Sequence, residues 1–92
     1  MLKTFKHKGL EAFFTEDDRR LLNPQHIGRV KRILDLLNDA AKIGELNIPG
    51  YGLHPLKGGR NGEWSMKLSG NWRITFRFED GHAFDVNLED YR

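Results

Sequence analysis

Residues 63–78 read EWSMKLSGNWRITFRF, and their pattern decides the fold. Apolar and polar residues alternate on both sides of Ser69-Gly70-Asn71, where glycine and asparagine suit a tight reversal of the chain. Because successive side chains of a strand point to opposite faces, the pattern predicts a β-hairpin with one apolar and one polar face. The same parity places its four aromatic residues in the core. The apolar positions are Trp64, Met66, Leu68, Trp72, Ile74, Phe76 and Phe78, and the polar positions are Glu63, Ser65, Lys67, Arg73, Thr75 and Arg77.

Two helices are predicted before the hairpin. Residues 10–14 (LEAFF) place their apolar side chains on one side of a short helix. Between positions 27 and 41, apolar residues recur every three or four positions, which is the spacing of an amphipathic helix. Asn23-Pro24 is a typical helix start, and Gly44 a typical helix end. We expect this longer helix to cover the apolar face of the hairpin.

Three further segments complete the predicted sheet. Residues 2–5 alternate as a short edge strand, and residues 82–88 alternate as a strand after the hairpin. The glycine- and proline-rich segment 47–62 is long for a loop, which predicts a short strand near 51–53, a functional role, or both. The expected fold class is therefore α+β, a small twisted antiparallel sheet of three to five strands with two helices on one face. In the last strand, the inward positions are Phe84, Val86 and Leu88, and the outward positions are Ala83, Asp85 and Asn87.

Length and composition narrow the class of protein. The chain has 92 residues, a formal net charge of +2 and no cysteine. This length allows one domain, and the lack of cysteine excludes disulfides and thiolate catalysis. No apolar run approaches the roughly 18 residues of a membrane span, and the first residues lack the apolar core of a signal peptide. We expect one cytoplasmic domain over residues 1–92 with no membrane contact.

Several kinds of site are excluded by spacing. The four histidines have no partner at a metal-ligand spacing, and LKGGRNG lacks the residue order of a phosphate-binding loop. No serine lies in a nucleophile elbow. The sequence therefore predicts neither a metal nor a cofactor.

After these exclusions, there remains a set of cations and polar groups that could converge on the polar face of the sheet. Several cations on a sheet suit a phosphate backbone, and a tyrosine offers a stacking surface for a base. RNA cleavage needs little more than a base, an acid and charge stabilisation, because the substrate 2′-OH is the nucleophile. On pattern alone, these positions also fit solvated surface charges, and both interpretations stand. The candidates are His54, Lys57 and Arg60 in the loop, Lys67, Arg73 and Arg77 on the hairpin, Asp85 and Asn87 on the last strand, and Tyr91 and Arg92 in the tail.

Five short motifs resemble the HigB toxins of the RelE/ParE superfamily, and the resemblance spans residues 2–91. It implies a RelE-like fold and a ribosome-dependent mRNA endonuclease that acts in the ribosomal A site. It also implies a HigA-type antitoxin with a helix-turn-helix domain, with operator DNA bound only through the toxin–antitoxin complex. The motifs are FKHKGL, IGEL, LHPLKG, NWRITF and EDY.

The resemblance also implies roles for individual residues. Lys57 and Arg73 match catalytic cations of the family, and Asp90 and Tyr91 match its active C-terminal motif. Arg92 stands where the family pattern ends in histidine, the expected proton-transfer group. Arginine stays protonated and cannot replace it in that role, so the resemblance predicts a weakened enzyme. We expect His54, Arg60, Lys67 and Arg77 to bind RNA.

Two other functions remain open at this stage. The first is a ParE-like inhibitor that acts on a protein target such as DNA gyrase without cleaving RNA. The second is an inactive binding partner of the antitoxin. The LHPLKG loop and the Asp90-Tyr91 pair favour the nuclease, whereas the missing histidine favours a non-catalytic role.

Overall fold

A computed structural model describes residues 1–90, which form two α-helices and a four-stranded antiparallel sheet. The strands follow each other in the sheet in chain order, and the helices pack on one face, so the predicted α+β fold is confirmed. The helices are α1 (Lys8–Glu16) and α2 (Ile27–Asp39). The strands are β1 (His54–Pro55), β2 (Glu63–Ser69), β3 (Trp72–Glu79) and β4 (His82–Asp90). Short 3-10 turns span Pro24–His26, Ile43–Leu46 and Gly58–Arg60.

The predicted hairpin forms the centre of the sheet. Met66 pairs with Ile74 across β2 and β3, and both side chains are completely buried, as is Phe76. Burial of each of these side chains contributes about 1.5–3 kcal/mol to the free energy of unfolding. The helix layer covers this face with the apolar stripe of α2, as expected. Its buried members are Val30, Ile33, Leu34 and Leu37.

Trp72 differs from the prediction. A β-bulge between Lys67 and Ser69 shifts the register, so that Ser69 pairs with Trp72 at the end of the hairpin. The indole is 38% exposed and lies edge-on to the buried His26 ring, at 6.0 Å between centroids. Alternation predicts which face of the sheet carries Trp72 but not how exposed that residue is at the end of the hairpin.

The side-chain alternation of β4 also differs from the prediction. Ala83 is fully buried and Phe84 is partly exposed, the reverse of the expected order. Asp85 has a positive φ of 54°, a conformation that aspartate tolerates better than most residues. The register shifts beside it, between Thr75 and Arg77 of β3. This bulge adds one residue to β4 and reverses the alternation only before it, since Val86 is fully buried and Leu88 packs against the core as predicted.

Helix α2 begins as predicted and ends early. The Asn23 side chain accepts a hydrogen bond from the backbone N–H two residues later, at 2.9 Å. The helix ends at Asp39, short of the predicted Gly44, because the backbone is extended at Ala40. The Glu45 carboxylate then accepts two backbone N–H bonds and starts a separate 3-10 turn. Within residues 1–90, no helix is both long enough and apolar enough to cross a bilayer.

The two other predicted strands are shorter than expected or displaced. The N-terminal segment makes isolated bridges at Leu2 and Phe5, which run parallel to β4 at the edge of the sheet. The strand expected near 51–53 lies instead at His54–Pro55, where it pairs with β2. Both segments are too short for alternation to define their limits.

The different burial of two aromatic residues gives a stability prediction. Phe76→Ala should lower the free energy of unfolding by about 3–5 kcal/mol, because it empties a sealed position. Trp72→Ala should cost roughly 1 kcal/mol, since much of the indole is already in water. Urea denaturation followed by circular dichroism would measure both. Equal losses would contradict the exposed position of Trp72.

Candidate functional site

The sheet face opposite the helices carries two cross-strand rows of polar side chains. Directly paired residues on neighbouring strands have Cβ atoms about 4.5–5.5 Å apart and share a surface. The rows therefore bring residues from all four strands together. One row is His54, Ser65, Thr75 and Asn87, and the other is Lys67, Arg73 and Glu89.

An ion-pair network lies over this face, and we call its members Arg60, Glu63, Thr75 and Glu89 the Arg60 cluster. Arg60 donates to both carboxylate oxygens of Glu89, at 2.8 and 2.6 Å. It also donates to both oxygens of Glu63, at 2.8 and 3.3 Å. The Thr75 hydroxyl donates to Glu89 at 2.5 Å. The cluster therefore joins the loop before β2 to strands β2, β3 and β4.

The Arg60 cluster is electrostatically coupled. Hydrogen bonds from Arg60 lower the pKa of Glu63, and burial opposes this effect only in part. The pKa of Glu89 is also lowered, first by Arg60 and then, after the opposing effect of burial, by the Thr75 hydroxyl. The same bonds raise the pKa of Arg60. All three charges are therefore present at neutral pH.

The centre of the polar face is more buried than the sequence suggested. Ser65 and Thr75 are only 1% and 2% exposed, although alternation placed them on an open surface. His54 is exposed, with Nδ1 3.0 Å from the Gly52 carbonyl oxygen and Nε2 3.4 Å from the Ser65 hydroxyl. The solvent-accessible side chains of this face, such as His54, therefore lie around the buried hydroxyls of Ser65 and Thr75.

Lys57 is exposed in the loop between β1 and β2. It directly precedes the 3-10 turn that ends at Arg60. A concavity of about 390 Å³ opens beside it, lined by residues 54–57 and Arg60. Since Arg60 contacts Glu89, the cross-strand neighbour of Arg73, the loop that carries Lys57 is linked to the strand pair that carries Arg73.

The remaining predicted residues lie around these rows. Lys67 is exposed and directly opposite the partly buried Arg73. Arg77 of β3 pairs with Glu63 of β2, in the row next to that of Ser65 and Thr75. Asp90 is exposed at the end of β4, opposite Trp72. The predicted residues Tyr91 and Arg92 lie outside the described part of the chain.

Arg29 is a residue that the sequence gave no reason to single out. Its guanidinium lies 3.9 Å from the centroid of the Tyr51 ring. It also donates to the carbonyl oxygens of Gly50, at 2.7 Å, and Lys67, at 3.1 Å. Arg29 therefore joins the start of the glycine-rich loop to α2 and to strand β2. No local pattern links residues so far apart in sequence.

A second concavity, of about 380 Å³, lies between α1 and α2 on the helix side. Its lining includes the carboxylates Glu16, Asp17 and Asp35 and one lysine, Lys31. This excess of negative charge does not suit a polyanion. Within residues 1–90, no three histidine, aspartate or glutamate side chains are grouped as metal ligands would be.

The sequence matches a known family. Residues 3–91 match the family described as the RelE-like toxin of the type II toxin–antitoxin system HigB. The chain belongs to this family of HigB-like toxins. Endoribonuclease HigB of Proteus vulgaris is 46% identical over 91 residues, which cover 99% of each chain. Toxin HigB-1 of Vibrio cholerae serotype O1 is 32% identical over 94 residues, covering 100% of this chain and 99% of that protein. The resemblance inferred from short motifs is therefore confirmed.

The Arg60 cluster should make this HigB-like toxin sensitive to acid. Glu63 and Glu89 have lowered pKa values in the folded state. Their stabilisation is therefore complete above the ordinary glutamate pKa of 4.5 and is lost as the pH falls through the lowered values. Glu63→Gln should be less stable than the parent at neutral pH and should lose less further stability on acidification.

Denaturant unfolding at a series of pH values would measure this effect. Glu79→Gln is a matched control, because Glu79 is exposed at the far end of β3. It removes the same charge without touching the Arg60 cluster. Parallel stability curves for Glu63→Gln and the parent would contradict the prediction.

Proposed function

We propose that this chain is an endoribonuclease that cleaves mRNA in the ribosomal A site. The observation that carries the proposal is the pairing of Arg73 with Lys67 on the sheet face opposite the helices, with the Lys57 loop linked through Arg60 to β2 and β4. Like charges directly opposite each other destabilise a sheet, so this pair is better explained by a polyanionic ligand. The name of the relative from Proteus vulgaris, an endoribonuclease, supports the same activity.

The proposed reaction uses the RNA as its own nucleophile. A base takes the proton of a 2′-OH, and the oxygen attacks the adjacent phosphorus. The bond from phosphorus to the 5′ oxygen then breaks, and an acid protonates the leaving oxygen. The products are a 2′,3′-cyclic phosphate and a 5′-hydroxyl end. Lys57 and Arg73 stabilise the charge that develops on the phosphate oxygens, and His54, Lys67 and Arg77 contribute to RNA binding.

The C-terminal residues set the rate of this reaction. Asp90 and Tyr91 complete the site, and Arg92 occupies the position where the family pattern has histidine. An arginine binds phosphate and stabilises negative charge, but it does not exchange protons near neutral pH. The proposed enzyme is therefore attenuated. Its chemical step is impaired more than its binding of the substrate.

The proposed partner is a HigA-type antitoxin with a helix-turn-helix domain, and operator DNA is bound only through the resulting complex. Membership of a type II toxin–antitoxin family supports a protein antitoxin. The ribosome supplies the message in the A site, and the proposed compartment is the cytoplasm.

Arg73→Ala should reduce the rate of mRNA cleavage by roughly 10²–10³-fold, because it removes a group that stabilises the transition state. The fold should persist, since Arg73 lies on the polar face. Arg32→Ala is a matched control that removes the same side chain from the exposed side of α2. Primer extension on ribosome-bound message would measure cleavage. Equal activity of the two variants would contradict the proposed site.

Arg92→His should raise the cleavage rate by roughly 10²–10⁴-fold, because it restores a group that can transfer protons near neutral pH. The same primer-extension assay would compare this variant with the parent chain under single-turnover conditions. No gain in rate would show that Arg92 does not limit the reaction. Growth arrest without cleaved message in either chain would instead favour a gyrase-type target.

A further inference from the structure

We propose that Arg60 is a positioning residue that holds the Lys57 loop over the sheet and does not itself bind RNA. This proposal deepens the proposed function and rests on it. It also differs from the RNA-binding role that the sequence suggested for Arg60. The contacts of Arg60, its charge environment and its place in the loop support the proposal independently.

The contacts of Arg60 leave little capacity for a ligand. Its bonds to Glu63 and Glu89 use four of the five N–H donors of a guanidinium. Paired bonds of this kind fix the orientation of the guanidinium plane as well as its position. A phosphate would have to displace one of these carboxylates before it could bind Arg60.

The charge around Arg60 also disfavours a phosphate. One guanidinium lies between two carboxylates, so the three charged groups have a net charge of minus one. Each glutamate is less exposed than Arg60, at 15% and 26% compared with 37% of the side chain. Like-charge repulsion between these glutamates and the RNA backbone would oppose binding at this point.

The position of Arg60 in the chain explains what the cluster does. The loop is fixed just before Lys57 by a backbone bond of 2.8 Å from the N–H of Leu56 to the carbonyl oxygen of Glu63. After Lys57 come Gly58, with a positive φ of 71°, and Gly59, a pair with little conformational restriction. Arg60 is the next side chain, and it fixes the second end of the segment. The cluster therefore determines where Lys57 lies relative to the sheet.

This geometry links the Arg60 cluster to catalysis. Glu89 is the cross-strand neighbour of Arg73, so one carboxylate lies beside Arg73 and also holds the Lys57 loop. A displacement of a catalytic group by about 1 Å can cost roughly 10²-fold in rate. Loss of the Glu89 contact should therefore slow cleavage even though it removes a negative charge from the RNA-binding face.

The test compares Glu89→Gln with the matched control Glu79→Gln. Glutamine keeps the size of the side chain and an acceptor oxygen but loses the charge and the paired bond. The first measurement is tryptic cleavage of the Lys57–Gly58 bond, followed by mass spectrometry, which reports loop anchoring independently of any activity. Cleavage after Lys67, inside β2, reports global unfolding in the same digest.

The second measurement is single-turnover cleavage of ribosome-bound mRNA. Glu89→Gln should speed cleavage after Lys57 several-fold without affecting Lys67, and it should slow RNA cleavage by roughly 10²-fold. Glu79→Gln should change neither. Arg60→Lys should also slow RNA cleavage, because a lysine keeps the positive charge but cannot make both paired contacts.

The opposite outcomes separate the two proposals. Faster RNA cleavage by Glu89→Gln would mean that Arg60 binds RNA when released, and it would overturn the positioning role. Unchanged tryptic cleavage after Lys57 would also overturn it. If neither the parent nor Arg92→His cleaves RNA, the proposed function fails together with the positioning role in catalysis, whatever the digest shows about the loop.

Discussion

The hydrogen bonds that Arg60 makes with Glu63 and Glu89 are the interaction on which the polar half of the molecule depends. Strand β3 lies between the strands that carry these two glutamates, so the guanidinium spans the width of three strands. A partly buried charge is costly unless it is paired and hydrogen-bonded. Each glutamate therefore stabilises Arg60, and removing Arg60 would leave two uncompensated carboxylates beside the buried Thr75 hydroxyl.

The two faces of the sheet make different contributions. The helix-covered face provides most of the stability through sealed apolar residues such as Met66, Ile74 and Phe76. The opposite face places Lys67 directly across from Arg73, an arrangement that a sheet tolerates only at some cost in stability. Glu89 on the other side of Arg73 reduces that cost. A core on one face thus allows a concentration of positive charge on the other.

The sequence predicted the parts of this arrangement that depend on periodicity. Alternation in β2 and β3 identified the hairpin and the side of the sheet that holds Arg73. Alternation failed in β4, where the positive φ of Asp85 adds a residue and reverses Ala83 and Phe84. Such bulges depend on pairing with a neighbouring strand, which a single sequence does not reveal.

Contacts between residues far apart in the chain were the second feature that could not be predicted from the sequence. Arg60 and Glu89 are separated by 29 positions, and Arg29 and Lys67 by 38. Neither separation follows a helix or strand period, so neither pair could be predicted from spacing. The motifs LHPLKG and NWRITF compensated in part, because resemblance to a family identified Lys57 and Arg73 without reference to their contacts. The family resemblance did not indicate the structural role of Arg60.

Fixed charge and proton transfer are separate requirements of the proposed reaction, and this chain meets them unequally. Lys57, Lys67 and Arg73 carry positive charge, which in the proposed reaction would bind a phosphate backbone and stabilise its transition state. Proton transfer needs a group that titrates near neutrality, and Arg92 adds a further permanent charge where such a group is expected. In the proposed enzyme, arginine in place of histidine at that position would therefore shift the balance of the site from cleavage towards binding. The Arg60 cluster would preserve the geometry for both.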